Sequence, residues 1–173
     1  LTAKVRWPAA MAVLDYDHMV VRYSTIPKSP LSHTRSTISR RLSMLRRAHG
    51  RAYLAFCPEE EREAIFRRLD NAVRDYLTPY LALYRQQGWA ERDESTDNQT
   101  NTIAVPVQCK TGRVSATVGL TFFRSAVRGS AVEELAEELK ATANEVLLRL
   151  RKIPPATRPS SLASGRIESV AAE

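Results

Sequence analysis

Five arginines fall within twelve residues in the stretch RRLSMLRRAHGR: Arg40, Arg41, Arg46, Arg47 and Arg51. Guanidinium groups at this density attract an anion, and the planar fork of each presents paired donors that match the two oxygens of a carboxylate. The stretch then runs without a break into the apolar AYLAF, residues 52–56. A basic segment joined in this way to a core-like one has two readings. It is either a solvated face or phosphate-binding patch, or a device that delivers a cation to an interior pocket.

The charge distribution sharpens the question. The 173 residues carry a formal net charge of +7. No acidic residue occurs between Asp17 and Glu59, a window that holds eight cations: Arg22, Lys28, Arg35, Arg40, Arg41, Arg46, Arg47 and Arg51. The remainder has 18 basic against 19 acidic residues, so the whole excess sits in one segment. A localised field of this kind implies an anionic partner there, whether phosphate, carboxylate or an acidic protein face.

Other candidate chemistry is sparse. His18, His33 and His49 have no partners at metal-ligand spacing, and Asp93, Glu94 and Asp97 lie in a polar loop where carboxylates are ordinarily solvated. Cys57 and Cys109 sit in neither a metal nor a redox spacing and read as reduced thiols of a cytosolic protein. There is no P-loop, no G-x-G-x-x-G, no G-x-S-x-G and no H-E-x-x-H. No nucleophile, base and orienting group assemble, so neither an enzyme nor a cofactor or metal site is expected. Direct nucleic-acid recognition needs a groove-entering helix or aromatic platforms, and the arginine stretch has no aromatic before Tyr53. No apolar run approaches the roughly 18–20 residues of a membrane span, and LTAKVRWPAA lacks a signal-peptide apolar region. A cytoplasmic location without membrane contact is expected. The chain begins on Leu1 and reads as a fragment of a longer protein.

The elements that must position these residues follow from hydrophobic period and turn chemistry. MAVLDYD (11–17) and MVVRYSTI (19–26) read as an antiparallel hairpin. The proline-containing segment after it reads as irregular structure ending in an edge strand. From about Arg46 to Phe56 a tightly packed helix is expected, in which Gly50 needs a packing or ligand reason because glycine costs about 1 kcal/mol in a helix interior. CPEEEREAIFRRLD has Pro58 at the first helical position, glutamates in the first turn and arginines near the end, matching the helix dipole. NAVRDYLTPYLALYRQQG reads as a third helix stopped at Gly88, with Pro79 as a possible kink. NTIAVPVQC and RVSATVGLTFF form a second hairpin around Gly112. SAVEELAEELKATANEVLLRLR is the strongest helix, with Ser130 and Glu133 read as a capping box. The stretch 152–173, rich in Pro, Ser and Ala, reads as an extended or disordered tail. The sum is an α+β domain, an antiparallel sheet with flanking helices, of a type that often binds a small molecule between the layers.

The order and spacing of MAVLDYDHMVVRYST, RRLSMLRRAHGRAYLAFCPEEEREAI, TNTIAVPVQCKTGRVSATVGLTF and ELAEELKATANEVLLRL resemble the effector-binding domain of the IclR family of transcription regulators. The resemblance spans roughly residues 9 to 150. RYST, SPL and AHGRAYLA are similar to the branch that regulates catabolism of 3-(3-hydroxyphenyl)propionate and related aromatic acids. The family implies a GAF-like or profilin-like sensor, assembled as homodimers or homotetramers, that binds a small organic-acid effector and reaches DNA through an N-terminal winged helix-turn-helix outside this chain. Residues 1–8 would then be the end of a linker helix and 9–151 the effector-binding domain.

Carried over by position, the family's pocket falls on Leu42, Ala48 and His49 in the first block, and on or near Arg92, Asp93, Thr102, Gly119 and Thr121 in the second. His49 would add a polar, protonatable wall. Thr102 and Gly119 stand where other members offer Cys and Ser, so a ligand as small as glyoxylate is not implied. Arg46 and Arg47 stand where many members have Ala, Ser or Thr, and a guanidinium at the mouth of this helix suits a carboxylate, with the helix N-terminus adding amide donors. The resemblance thus implies a sensor for a small, aromatic or phenylpropanoid carboxylate that controls catabolic genes. Two alternatives stay open: an oligomerisation or protein-interaction module whose pocket is vestigial, with the arginines turned to solvent or a partner subunit, and direct phosphate contact by residues 35–51.

Overall fold

The computed structural model describes residues 1–31 and 37–152. His33, Arg35 and the expected tail from 153 onward lie outside the described residues. A short helix α1 (Thr2–Val5) leads into the hairpin β1 (Ala9–Asp15) and β2 (His18–Ser24), followed by the short edge strand β3 (Arg41–Ser43). Three helices come next: α2 (Ala48–Phe56), α3 (Glu59–Phe66) and α4 (Asn71–Gln87). The chain returns to the sheet with β4 (Ala90–Glu91), β5 (Thr100–Gln108) and β6 (Val114–Phe123), and ends in α5 (Ser130–Leu150). The six strands form one sheet in the order β3-β2-β1-β6-β5-β4, every neighbouring pair antiparallel. This is the α+β architecture expected, with helices on both faces.

Strand alternation assigns each face its own core. On one face Ile103, Val105 and Val107 of β5 and Val118, Leu120 and Phe122 of β6 pack with Leu139 and Ala143 of α5 and with Trp7. On the other, Ala12, Met19, Val21 and Ala104 meet Ala48, Ala52 and Leu54 of α2, backed by Leu81 and Tyr84 of α4. The apolar stripe of α5 is what its period predicts, but its start differs. Gly129, at φ 57°, occupies the cap position and Ser130 is already helical with no side-chain capping bond. The Val132 amide bonds the Gly129 carbonyl at 3.0 Å, so the backbone closes the first turn without the serine hydroxyl.

Helix α2 starts two residues later than its composition suggests. The Ser43 hydroxyl accepts from the amides of Leu45 and Arg46, and the Ser43 carbonyl from the amide of Arg47. These bonds hold 43–47 as a turn, and Arg47 caps the helix in an extended conformation. Gly50 has the packing reason expected of it: a Cβ there would lie 2.3 Å from Met44 Cα and 2.6 Å from two backbone oxygens of this turn. Pro58 likewise sits one position before α3 rather than at its first residue, while Pro79 is accommodated inside a continuous α4.

Candidate ligand-binding site

The face of the sheet beneath α2 is built from small and hydroxylated side chains. Thr102 pairs with Thr121 and Ala104 with Gly119 across β5 and β6, and the two threonine hydroxyls bond at 3.0 Å. Small residues leave room between sheet and helix, and a cavity of about 490 Å³ opens there. Its apolar side comes from Ala10, Val21, Ile26, Leu42 and Ala48. Its polar side comes from Arg40, Arg47, His49, Arg92 and Asp97, with the hydroxyls of Ser24, Thr37, Thr96, Thr100, Thr102 and Thr121.

His49 projects from the first turn of α2 onto the sheet. Its Nδ1 is 2.8 Å from the Thr117 hydroxyl, which itself donates to the Ala12 carbonyl at 3.5 Å, so Nδ1 is the donor and Nε2 is left as an acceptor. The ring fits because β6 has glycine beneath it: a Cβ on Gly119 would come within 2.8 Å of Nε2. Burial pushes the imidazole down from 6.5 to about 4. His49 is therefore a neutral polar wall at pH 7, a correction to the expectation of a protonatable one.

The arginines define the cationic wall. Arg47, half-buried at the cap of α2, has no hydrogen-bond or ion-pair partner for its side chain among the described residues. Burial lowers its pKa, and repulsion from Arg40 adds to the effect. Arg92 is buried and donates to the carbonyl and hydroxyl of Thr100. Its Nη1 lies 3.6 Å from Asp97, yet burial and the neighbouring guanidiniums of Arg47, Arg124 and Arg40 leave its pKa lowered. The Asp97 carboxylate accepts from the Thr100 hydroxyl at 2.7 Å and from the amides of Gln99 and Thr100. Desolvation works to raise it, but these bonds and Arg92 outweigh that and hold it at about 2. Arg92 Nε and the Thr96 hydroxyl are buried at this wall with no hydrogen-bond partner among the described residues.

The cavity thus brings together seven of the anticipated residues: Leu42, Arg47, Ala48, His49, Arg92, Thr102 and Thr121. Gly119 contributes by making room for His49. Arg46 and Asp93 are not brought in. Arg46 is exposed on the turn before α2, where its amide donates to the Ser43 hydroxyl and its carbonyl accepts from the Asp93 amide at 3.0 Å. Asp93 turns the other way, onto Arg51 at 2.7 Å, Tyr76 at 3.2 Å and Ser95 at 2.6 Å. The sequence singles out Arg40 only as one of the clustered cations, leaves Asp97 among solvated carboxylates, and gives no reason to single out Thr100 or Thr96. One signal was present: Thr100 and Thr102 are two apart on a strand and so share a face. Among the described residues no group of three His, Cys, Asp or Glu side chains could hold a metal, and no helix is long and apolar enough to cross a membrane.

Sheet order and helical layers define an α+β domain with a cavity of basic and hydroxylated lining between sheet and helix. The family model for the C-terminal region of the bacterial transcriptional regulator IclR matches residues 1–147, and the chain belongs to this family. Membership puts it among transcription regulators and not among enzymes. Solved structures share the fold. IclR of Thermotoga maritima superposes with a TM-score of 0.76 at 19% identity, over 86% of this chain and 63% of its own. A transcriptional regulator from Rhodococcus sp. RHA1 gives 0.74 at 22% identity, over 87% and 64%. The inducer-binding domain of a double mutant of the PobR transcription factor from Acinetobacter, in complex with 3-hydroxybenzoic acid, gives 0.67 at 20% identity, over 84% and 90%. The chain spans less than two thirds of the length of the Thermotoga and Rhodococcus proteins.

Proposed function

We propose that this domain is the effector sensor of a cytoplasmic DNA-binding transcription regulator, and that it binds a small carboxylate, of aromatic or phenylpropanoid type, in the cavity beneath α2. The observation that carries this reading is Arg47: a half-buried guanidinium lining the cavity with no hydrogen bond or ion pair to a carboxylate among the described residues. A partly desolvated cation in this position lacks the anion that would offset its lost hydration, and an acid ligand supplies it. The apolar side made by Val21, Ile26, Leu42 and Ala48 suits a ring or short carbon chain. The volume of about 490 Å³ lies within the roughly 300–1,000 Å³ usual for small-molecule sites. The inducer-binding domain of PobR, with its bound hydroxybenzoic acid, supports the same class of ligand.

In the full-length regulator, the DNA-reading head lies outside this chain, the domain assembles as a homodimer or homotetramer, and the effector biases that assembly to control catabolic genes. Such coupling requires the ligand to bind two subunit arrangements with different affinity. Calorimetric titration of the folded domain with 3-(3-hydroxyphenyl)propionate, 3-hydroxybenzoate and glyoxylate tests the reading. Saturable binding of an aromatic acid is expected, together with an assembly shift in sedimentation. A folded domain that binds no organic acid would overturn it and leave an assembly module in its place.

A further inference from the structure

Beyond accepting an acid, the cavity wall carries a charge count that selects among acids. Among the described residues three guanidiniums line it, from Arg40, Arg47 and Arg92, against a single carboxylate, Asp97. Asp97 is already engaged by the Thr100 hydroxyl and two backbone amides, and the one guanidinium it pairs with is Arg92. Arg40 and Arg47 form no ion pair among the described residues, and Arg47 feels the same Asp97 only at longer range, so three guanidiniums share one carboxylate. They belong to one cluster, since Arg40 acts on Arg47 and both act on Arg92. Neutral His49 adds no charge. A monoanion bound here offsets one of the two free cations and leaves the other beside it, whereas two negative charges close the balance. The donor count runs the same way. The guanidiniums of Arg40 and Arg47, which both line the cavity, carry five N–H donors each. That is more donor capacity than the two oxygens of one carboxylate can use.

We propose that the effector of this cavity is a compact dianion, with an apolar body against Val21, Leu42 and Ala48 and two negative charges at the wall of Arg40, Arg47 and Arg92. This rests on the reading that the cavity binds an organic acid, and specifies its charge. Two carboxylates or one phosphate monoester would supply the same chemistry.

Matched ligands that differ by one charge test the inference by calorimetry on the intact domain. The pairs are benzoate with phthalate, 3-phenylpropionate with phenylsuccinate, and butyrate, valerate and hexanoate with succinate, glutarate and adipate; phenyl phosphate is the phosphate arm. The expected result is that at least one dianion binds tenfold or more tightly than its monoanion, with a steeper loss of affinity as salt rises. Arg40→Gln is expected to remove that advantage without lowering the melting temperature, because Arg40 is exposed and its side chain makes no hydrogen bond or ion pair among the described residues. A gain confined to phenyl phosphate assigns the charge to phosphate, and a gain among the diacids assigns it to carboxylates. Monoanions binding as tightly as dianions would overturn the inference and leave the acid-sensor reading standing. No binding by any of these ligands would overturn both.

Discussion

Asp93 and Arg51 form a 2.7 Å ion pair between the turn after β4 and the middle of α2, with side chains only 12% and 3% exposed. The Arg51 guanidinium also donates to the Leu45 carbonyl at 2.7 Å and to the Tyr84 hydroxyl at 3.2 Å, so one side chain ties together α2, the turn before it, α4 and the 93–97 segment. That segment brings Thr96 and Asp97 to the cavity wall. Asp93 acts behind the site, as the anchor of a wall.

Removing one partner of a buried pair leaves the other charge uncompensated, which typically costs about 3–5 kcal/mol. Asp93→Ala is therefore expected to lower the urea midpoint by a large fraction of a domain's total stability. It is also expected to weaken acid binding, although Asp93 does not line the cavity. Equilibrium unfolding and calorimetry on the same preparation check both. A variant as stable as the parent would show that the pair contributes nothing.

Arg47 predicts the opposite division. Its guanidinium makes no hydrogen bond or ion pair among the described residues, so Arg47→Gln relieves repulsion from Arg40 and Arg46 and forfeits only a longer-range attraction to Asp97. Stability is expected to hold or to rise slightly. Affinity for a carboxylate ligand is expected to fall roughly tenfold to hundredfold, as a lost charge-assisted contact of about 1.5–3 kcal/mol implies. Thermal melting with and without ligand separates the two effects. An unchanged ligand-induced shift would place the anion elsewhere.

Why some of this site was legible and some was not follows from chain separation. Strand and helix periods located β1, β2, β5, β6 and α5, because each buries a face whose repeat is written locally. The cationic cap of α2 was legible for the same reason: Arg47, Ala48 and His49 are consecutive. Arg40 and Asp97 were not, since they reach the wall from segments 57 positions apart that only the tertiary fold joins. Asp93 and Asp97 look alike in a polar loop, yet one faces Arg51 and the other Arg92. The turn of Glu94–Thr96 between them decides this, and its direction has no signature in composition. The Ser130 capping box failed for a related reason, as Gly129 offered the backbone a competing way into the helix.

Gly119 is the complement of His49, and the relation is open to a double-mutant cycle. A methyl at position 119 would stand 2.8 Å from Nε2, 2.9 Å from Cε1 and 3.0 Å from the Ile103 carbonyl. Gly119→Ala is expected to destabilise by about 1–3 kcal/mol, the usual cost of overpacking. In the background of His49→Ala the same substitution is expected to cost clearly less, because the ring it strikes is gone. Additive losses would show that the two residues do not press on each other.

His49 makes the last prediction, on acid stability. An unfolded chain takes up a proton on this imidazole near 6.5, whereas the folded protein resists until about pH 4, because charging a fully buried ring away from water is unfavourable and its one described hydrogen-bond partner, Thr117, is neutral. The unfolded state therefore binds more protons between these two values, and stability must fall as pH drops through that window. Above 6.5 the effect is absent, and below 4 it has run its course. A shift of this size corresponds to on the order of 3 kcal/mol. Replacing the ring with a neutral group of similar reach, His49→Gln, should flatten the profile: the urea midpoint of the parent is expected to decline from pH 7 to 4.5 more steeply than that of the variant. Parallel declines would mean that carboxylates elsewhere carry the acid sensitivity and that the ring is hydrated well enough to titrate normally.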